Sequence, residues 1–115
     1  GKRAGRIGDS AIPGAGFYAL KEVGGTALTG IGEQNIRCLT AYRIVEKMKN
    51  ENPLQAIKNV FFEVKNEIGK VNQGAIAADS RLRMAALTTE EVMPVCFIRS
   101  DVKKCSFDFR NGLLI

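Results

Sequence analysis

The stretch from Gly5 to Gly32 holds most of the chain's 12 glycines, and it constrains the fold more than any other segment. It includes Gly5-Arg6-Ile7-Gly8-Asp9-Ser10, Ile12-Pro13-Gly14-Ala15-Gly16, Glu22-Val23-Gly24-Gly25 and Thr29-Gly30-Ile31-Gly32. Glycine outside regular elements marks backbone with positive φ, or backbone that another group approaches closely. Two helix patterns follow directly, so the glycines read as a site mounted on a scaffold. The apolar run from Val23 to Leu28, the turn Thr29-Gly30-Ile31-Gly32 and a helical pattern from Glu33 make a strand, a glycine turn and a helix in succession. Such a turn aims backbone N–H groups and the positive end of a helix dipole at whatever lies in front of it. An anion or a developing oxyanion suits that place.

The absence of histidine narrows the chemistry. It removes Ser-His-Asp and Cys-His catalysis, histidine metal sites and the usual base near neutral pH. A base would have to be a carboxylate, a lysine, a tyrosine or an α-amino group. The last serves the N-terminal nucleophile hydrolases, where a terminal Thr, Ser or Cys attacks through its side chain; Gly1 carries no such side chain. Cys38, Cys96 and Cys105 lack close-paired spacing, which excludes a Cys-only zinc site and a dense disulfide framework within the chain. They read as buried thiols, with a single Cys96 to Cys105 bridge across a hairpin as the alternative. The net charge is +5, but the 17 Lys and Arg are mixed with 12 acids and never exceed two in a row. That is not the basic footprint of a nucleic-acid binder, and no run reaches the ~18 apolar residues of a membrane-spanning helix. No metal, cofactor, nucleic acid or membrane is expected.

Arg6 and Asp9 stand three apart on a loop supported by Gly5 and Gly8. One cation and one anion so placed can grip a zwitterion: a guanidinium forks onto an α-carboxylate, and a carboxylate accepts from an α-ammonium. The plainer alternative is a solvated ion pair between the two. Thr29 could lend its hydroxyl to a reaction centre or cap the turn. Gly14-Ala15-Gly16 has the look of a dinucleotide fingerprint, but Pro13 precedes it and no helical pattern follows.

Phe17 to Leu20 reads as a short strand and Val23 to Leu28 as a buried one. From Glu33 to about Asn50, Ile36, Leu39, Tyr42, Val45 and Met48 recur every three residues, with Ala41 and Ile44 widening the stripe. This predicts one amphipathic helix covering a sheet. Asn52 then offers an N-cap, Pro53 a first helical position and Gly69 a stop, with Leu54, Ile57, Phe61, Val64 and Ile68 at helical spacing between them. The short connection makes this second helix antiparallel to the first. Gly74 to Ala78, the turn Asp79-Ser80 and Arg81 to Leu87 predict a strand pair; Val92 to Arg99 predicts a further strand, with Pro94 at its start. Cys105, Phe107 and Phe109 alternate as a last half-buried strand, and Asn111-Gly112 turns before the apolar tail Leu113-Leu114-Ile115. The fold class is α+β, with two adjacent helices on one face of a mostly antiparallel sheet.

The blocks Gly5-Arg6-Ile7-Gly8-Asp9-Ser10, Ile12-Pro13-Gly14-Ala15-Gly16, Glu22-Val23-Gly24-Gly25 and Ala27-Leu28-Thr29-Gly30-Ile31-Gly32-Glu33, with Arg37, resemble in order and spacing the β subunit of glycosylasparaginases. These belong to the Thr-dependent asparaginases among the N-terminal nucleophile hydrolases. The resemblance spans about Lys2 to Arg99. It implies a four-layer αββα sandwich made as a precursor, whose autoproteolysis frees a Thr that is both nucleophile and, through its α-amine, base. It implies that Arg6 holds the substrate α-carboxylate and Asp9 its α-ammonium, that Thr29 and the N–H of Gly30 form the oxyanion hole, and that the Gly32 backbone helps hold the amino group. Residues 1–115 are then expected to be the C-terminal part of the β subunit. The α subunit and the nucleophile-bearing β-subunit strands are the expected partners, αβ units are expected to dimerise, and the substrate is a small asparagine derivative. Ala11 stands where the family usually has Pro, and Leu20-Lys21 where it has an Asp-Asn-like pair, positions that bear on fine specificity. Cleavage of the GlcNAc-Asn linkage leads the functional expectations, with L-asparaginase or isoaspartyl peptidase activity as the alternative. A non-catalytic fragment or relic, serving only as a structural or binding module, is the alternative from another class. The compartment is open.

Overall fold

The computed structural model describes residues 3–100, 102–106 and 112–115. In chain order the elements are β1 (Phe17–Leu20), β2 (Gly24–Gly30), α1 (Gly32–Cys38), α2 (Thr40–Met48), α3 (Pro53–Ile68), β3 (Gln73–Asp79), β4 (Met84–Thr88), β5 (Val95–Arg99), β6 (Val102–Ser106) and β7 (Leu113–Leu114). Five strands form one antiparallel sheet in the order β1-β2-β3-β4-β7, and β5 and β6 form a separate hairpin. The α+β class and the antiparallel sheet expected from the sequence are present. Phe107, Phe109 and Asn111 lie outside the described residues.

Strand side chains alternate between the two faces of a sheet. Leu28, Ala75, Ala77, Ala85 and Leu87 share one face and join a core with Ala41, Ile44, Val45 and Met48 of α2 and Ile57, Val60, Phe61 and Val64 of α3. Alanines on β3 and β4 let the two helices sit close to the sheet. Each fully buried Ile or Val there contributes about 1.5–3 kcal/mol. Cys38 belongs to the same core as a free thiol, whose pKa burial pushes up. Cys96 is disulfide-bonded, and the β5–β6 register sets Cys105 opposite it.

The second helix follows its caps. Asn52 Oδ1 accepts from the Gln55 N–H at 3.0 Å, Pro53 opens α3, and Gly69 at φ 82 ends it. Arg43 reaches Glu67 at 2.7 Å while Lys47 reaches Glu63 at 2.8 Å, so the later residue of α2 meets the earlier one of α3. The helices therefore run antiparallel.

The first helix departs from expectation. It is broken at Leu39, which adopts the left-handed conformation at φ 47, ψ 48 and separates α1 from α2. The break frees N–H groups of α2, and the glycine loop takes them: Tyr42 N donates to the Gly14 carbonyl at 2.9 Å and Ala41 N to the Ala15 carbonyl at 3.3 Å. Gly14-Ala15-Gly16 thus serves as a carbonyl seat for a helix, the reverse of a phosphate cradle. The buried stripe is shifted too. Cys38, Ala41, Ile44, Val45 and Met48 face the core, whereas Ile36, Leu39 and Tyr42 are exposed.

Strand β4 begins at Met84 rather than Arg81. The reason is local: Asp79 Oδ1 accepts from the N–H groups of Arg81 at 3.0 Å and Arg83 at 2.9 Å, and Leu82 sits at φ 62. These bonds hold residues 80–83 as a turn.

Candidate functional site

Strand β2 ends at Gly30, and the chain passes through Ile31 into α1. The Gly5–Ser10 loop lies against this junction. Together they enclose a cleft of about 520 Å³ lined by Arg6, Asp9, Thr29, Gly30, Gly32 and Glu33, among others. All five site residues expected from the sequence therefore meet in one place.

Arg6 and Asp9 do not pair with each other. Arg6 donates from Nη2 to Glu33 Oε1 in a hydrogen-bonded ion pair. The Glu33 carboxyl is held below the usual carboxylate range, first by its own backbone N–H and then by the Arg6 guanidinium. Asp9 is buried and turns inward, its Oδ2 accepting from Asn35 Nδ2 at 2.8 Å. The cation and the anion of the loop thus each engage a residue of α1, two positions apart, and stay separate across the cleft.

Thr29 pairs in register with Gly74 on β3, and α1 has no side-chain cap, so Thr29 is not a cap. Gly30 adopts φ +119, and the next N–H, from Ile31, is committed to the Asn72 carbonyl at 3.0 Å. A Cβ on Gly32 would stand 2.8 Å from Asp9 Oδ1, so the absence of a side chain is what lets α1 approach the carboxylate.

Behind Asp9 lies a polar relay that sequence reasoning missed. Gln73 Nε2 donates to Asn35 Oδ1 at 2.8 Å and contacts Thr40 Oγ1 at 3.3 Å. Asn35 and Gln73 are 0% and 1% exposed. A carboxylate only accepts, so Asn35 must present its amide nitrogen to Asp9, its oxygen must face Gln73, and Gln73 must present its own nitrogen. Gln73 Oε1 is left buried with no hydrogen-bond partner among the described residues. The available signal was the corrected stripe: Asn35 stands three residues before Cys38 and six before Ala41, in line with the buried face. Among the described residues no group of three or more His, Cys, Asp or Glu could hold a metal.

The asparaginase family profile matches residues 1–106. The chain belongs to the asparaginase family. An L-asparaginase-like protein of Drosophila ananassae is 40% identical over 76 residues, covering 65% of this chain and 20% of that protein. The N(4)-(beta-N-acetylglucosaminyl)-L-asparaginase of Rattus norvegicus is 38% identical over 79 residues, 68% of this chain and 23% of the rat protein. The Mus musculus protein of the same name is 42% identical over 64 residues, 55% and 18% respectively. This asparaginase-family chain thus spans about a fifth of the length of these relatives. The family match, with the rat and mouse relatives, supports the resemblance to glycosylasparaginases, and the helices on one face of an antiparallel sheet are consistent with the family's sandwich.

Proposed function

We propose that the chain forms the substrate-gripping part of an amidohydrolase that cleaves the side-chain amide of asparagine derivatives, releasing aspartate. The single observation that carries this is the cleft itself: a guanidinium and a buried carboxylate held apart beside a strand-to-helix turn bearing a Thr hydroxyl. An α-amino acid presents a carboxylate to Arg6 and an ammonium to Asp9, and its side-chain carbonyl extends toward Thr29 and Gly30. A Thr released by autoproteolysis of the precursor supplies the nucleophile. Its hydroxyl adds to the amide carbon as its own α-amine takes the proton. The tetrahedral oxyanion rests on the Thr29 hydroxyl and the Gly30 N–H, the amine leaves with a proton, and water then hydrolyses the β-aspartyl ester. One oxyanion donor is worth ~3 kcal/mol of barrier in acyl transfer.

The names of the rat and mouse relatives favour the GlcNAc-Asn linkage as substrate. Those of the Drosophila relatives favour L-asparagine as the second reading. The partners of this reading are the α subunit and the nucleophile-bearing strands, packed on the sheet face away from the helices, with αβ units dimerising.

Denaturing intact-mass analysis of the native protein, with N-terminal sequencing of every chain, comes first. A species beginning with Thr is expected. Hydrolysis of GlcNAc-Asn, L-asparagine and an isoaspartyl dipeptide then ranks the leaving groups. Thr29→Val is expected to lower kcat by about 10²–10³ with a small change in KM. Native protein with neither a Thr-starting chain nor amide hydrolysis would return the chain to a structural or binding role.

A further inference from the structure

We infer that Asn35, oriented by Gln73, is a positioning residue that sets the cleft's selectivity for an α-ammonium by fixing the carboxylate of Asp9. The inference rests on the zwitterion clamp proposed above and adds to it the groups that aim one half of the clamp.

Asp9 sits on a loop, and a loop carboxylate left to itself turns about its side-chain torsions. Here one oxygen, Oδ2, is taken by Asn35 Nδ2 at 2.8 Å, while the other, Oδ1, lies beside Gly32 at the edge of the cleft. The donor is itself held, since Gln73 Nε2 at 2.8 Å fixes which end of the Asn35 amide faces Asp9. The relay draws on three elements, with Asn35 on α1, Gln73 on β3 and Thr40 on α2. It therefore references the loop to the scaffold.

A packing role alone does not account for this arrangement. Apolar side chains would fill the same volume without the orphaned oxygen on Gln73. What the two amides add is direction: the chain of donors ends on one oxygen of Asp9 and leaves the other toward the cleft. Arg6 takes no part, because its guanidinium is paired with Glu33.

The test compares L-aspartate with succinate, which has both carboxylates but no α-ammonium, as ligands of the native protein with all its chains, by isothermal titration calorimetry. The unsubstituted protein is expected to bind L-aspartate more tightly than succinate. Asn35→Leu is expected to weaken L-aspartate roughly tenfold, the scale of one hydrogen bond to a charged group, and to leave succinate unchanged. Gln73→Met keeps most of the volume but removes the donor that holds Asn35 Oδ1, so the amide is no longer fixed toward Asp9; a smaller selective loss in the same direction is expected. This second variant decides the matter if Asn35→Leu does not fold. An unchanged preference for L-aspartate in a folded variant overturns the inference and leaves the clamp standing. Equal weakening of both ligands also overturns it, since a purely structural role does that. Absence of any preference in the unsubstituted protein removes the clamp and the relay with it.

Discussion

A methyl group on Gly32 would stand 2.8 Å from Asp9 Oδ1 and 3.1 Å from the Asp9 backbone nitrogen. The side-chain oxygen could swing away, but the backbone nitrogen is tied into a turn in which the Asp9 carbonyl accepts from Ile12 N at 2.8 Å. Gly32→Ala gains up to about 1 kcal/mol of helix propensity at the start of α1 and meets an overpacking cost of about 1–3 kcal/mol. The clash wins, so a small fall in melting temperature is expected. Calorimetry should show L-aspartate binding weakened more than succinate binding, because the displaced atoms belong to the ammonium-facing group. At this scale the sequence was legible where chemistry sits on a loop. Arg6 and Asp9 could be picked out as a candidate cation and anion from their glycine neighbours, but spacing left a pair between the two open, and only the family resemblance gave them separate roles. Glu33, Asn35 and Gln73 could not, because each acquires its meaning from a residue at least 26 positions away.

The elements divide in the same manner. Helix α3 was legible to its ends because its start and stop are local: Asn52 caps a residue three positions on, and the Gly69 N–H donates to the Lys65 carbonyl four positions back. The break at Leu39 was not, since the carbonyls that reward it belong to Gly14 and Ala15. Leucine in the left-handed region costs roughly 1–2 kcal/mol, and the half-exposed Leu39 side chain recovers little by burial. Leu39→Gly is therefore expected to stabilise the protein by about 1 kcal/mol, raising the melting temperature by a few degrees. A fall would mean that the contacts of the Leu39 side chain matter more than its backbone. The β3–β4 turn carries a pH dependence. Burial would raise the Asp79 carboxyl, but the Arg83 N–H, the Arg83 guanidinium and the Arg81 N–H outweigh it and hold the pKa below the ordinary 3.8. A carboxylate with a depressed folded-state pKa contributes stability above its unfolded value and loses it as pH falls through the folded value. Asp79→Asn should thus cost about 1–2 kcal/mol near neutral pH, and the gap to the unsubstituted protein should close below that depressed value. Denaturant titrations run stepwise from neutral pH down through the acid range read this directly, as a gap that narrows with falling pH.

At the scale of the molecule, the sheet has one face too many. Helices α2 and α3 cover the face bearing Leu28, Ala75 and Ala77. The opposite face carries Phe17 and Ile76, which are 42% and 47% exposed, together with Ala27 and Ala78. A strand with one solvated face alternates apolar with polar, whereas a strand buried on both faces reads as a continuous apolar run. Gly74-Ala75-Ile76-Ala77-Ala78 and Met84-Ala85-Ala86-Leu87 are of the second kind. The β5–β6 hairpin borders this face, leaving an apolar groove of about 480 Å³ lined by Ile76, Ala86, Val95 and Phe97 among others. A second layer on this face is the arrangement such strands call for, and the proposed partner strands would supply it. The isolated polypeptide of 115 residues is accordingly expected to self-associate and to bind a hydrophobic dye, with no sharp unfolding transition as a monomer. Ile76→Thr keeps the β-branched shape in β3 while making the uncovered face more polar. It should reduce self-association of the isolated polypeptide on size-exclusion chromatography and also weaken its assembly with the proposed partner strands. A monomeric isolated chain that melts cooperatively and binds no dye would show that the face is stable in water, and the case for a second sheet upon it would fall.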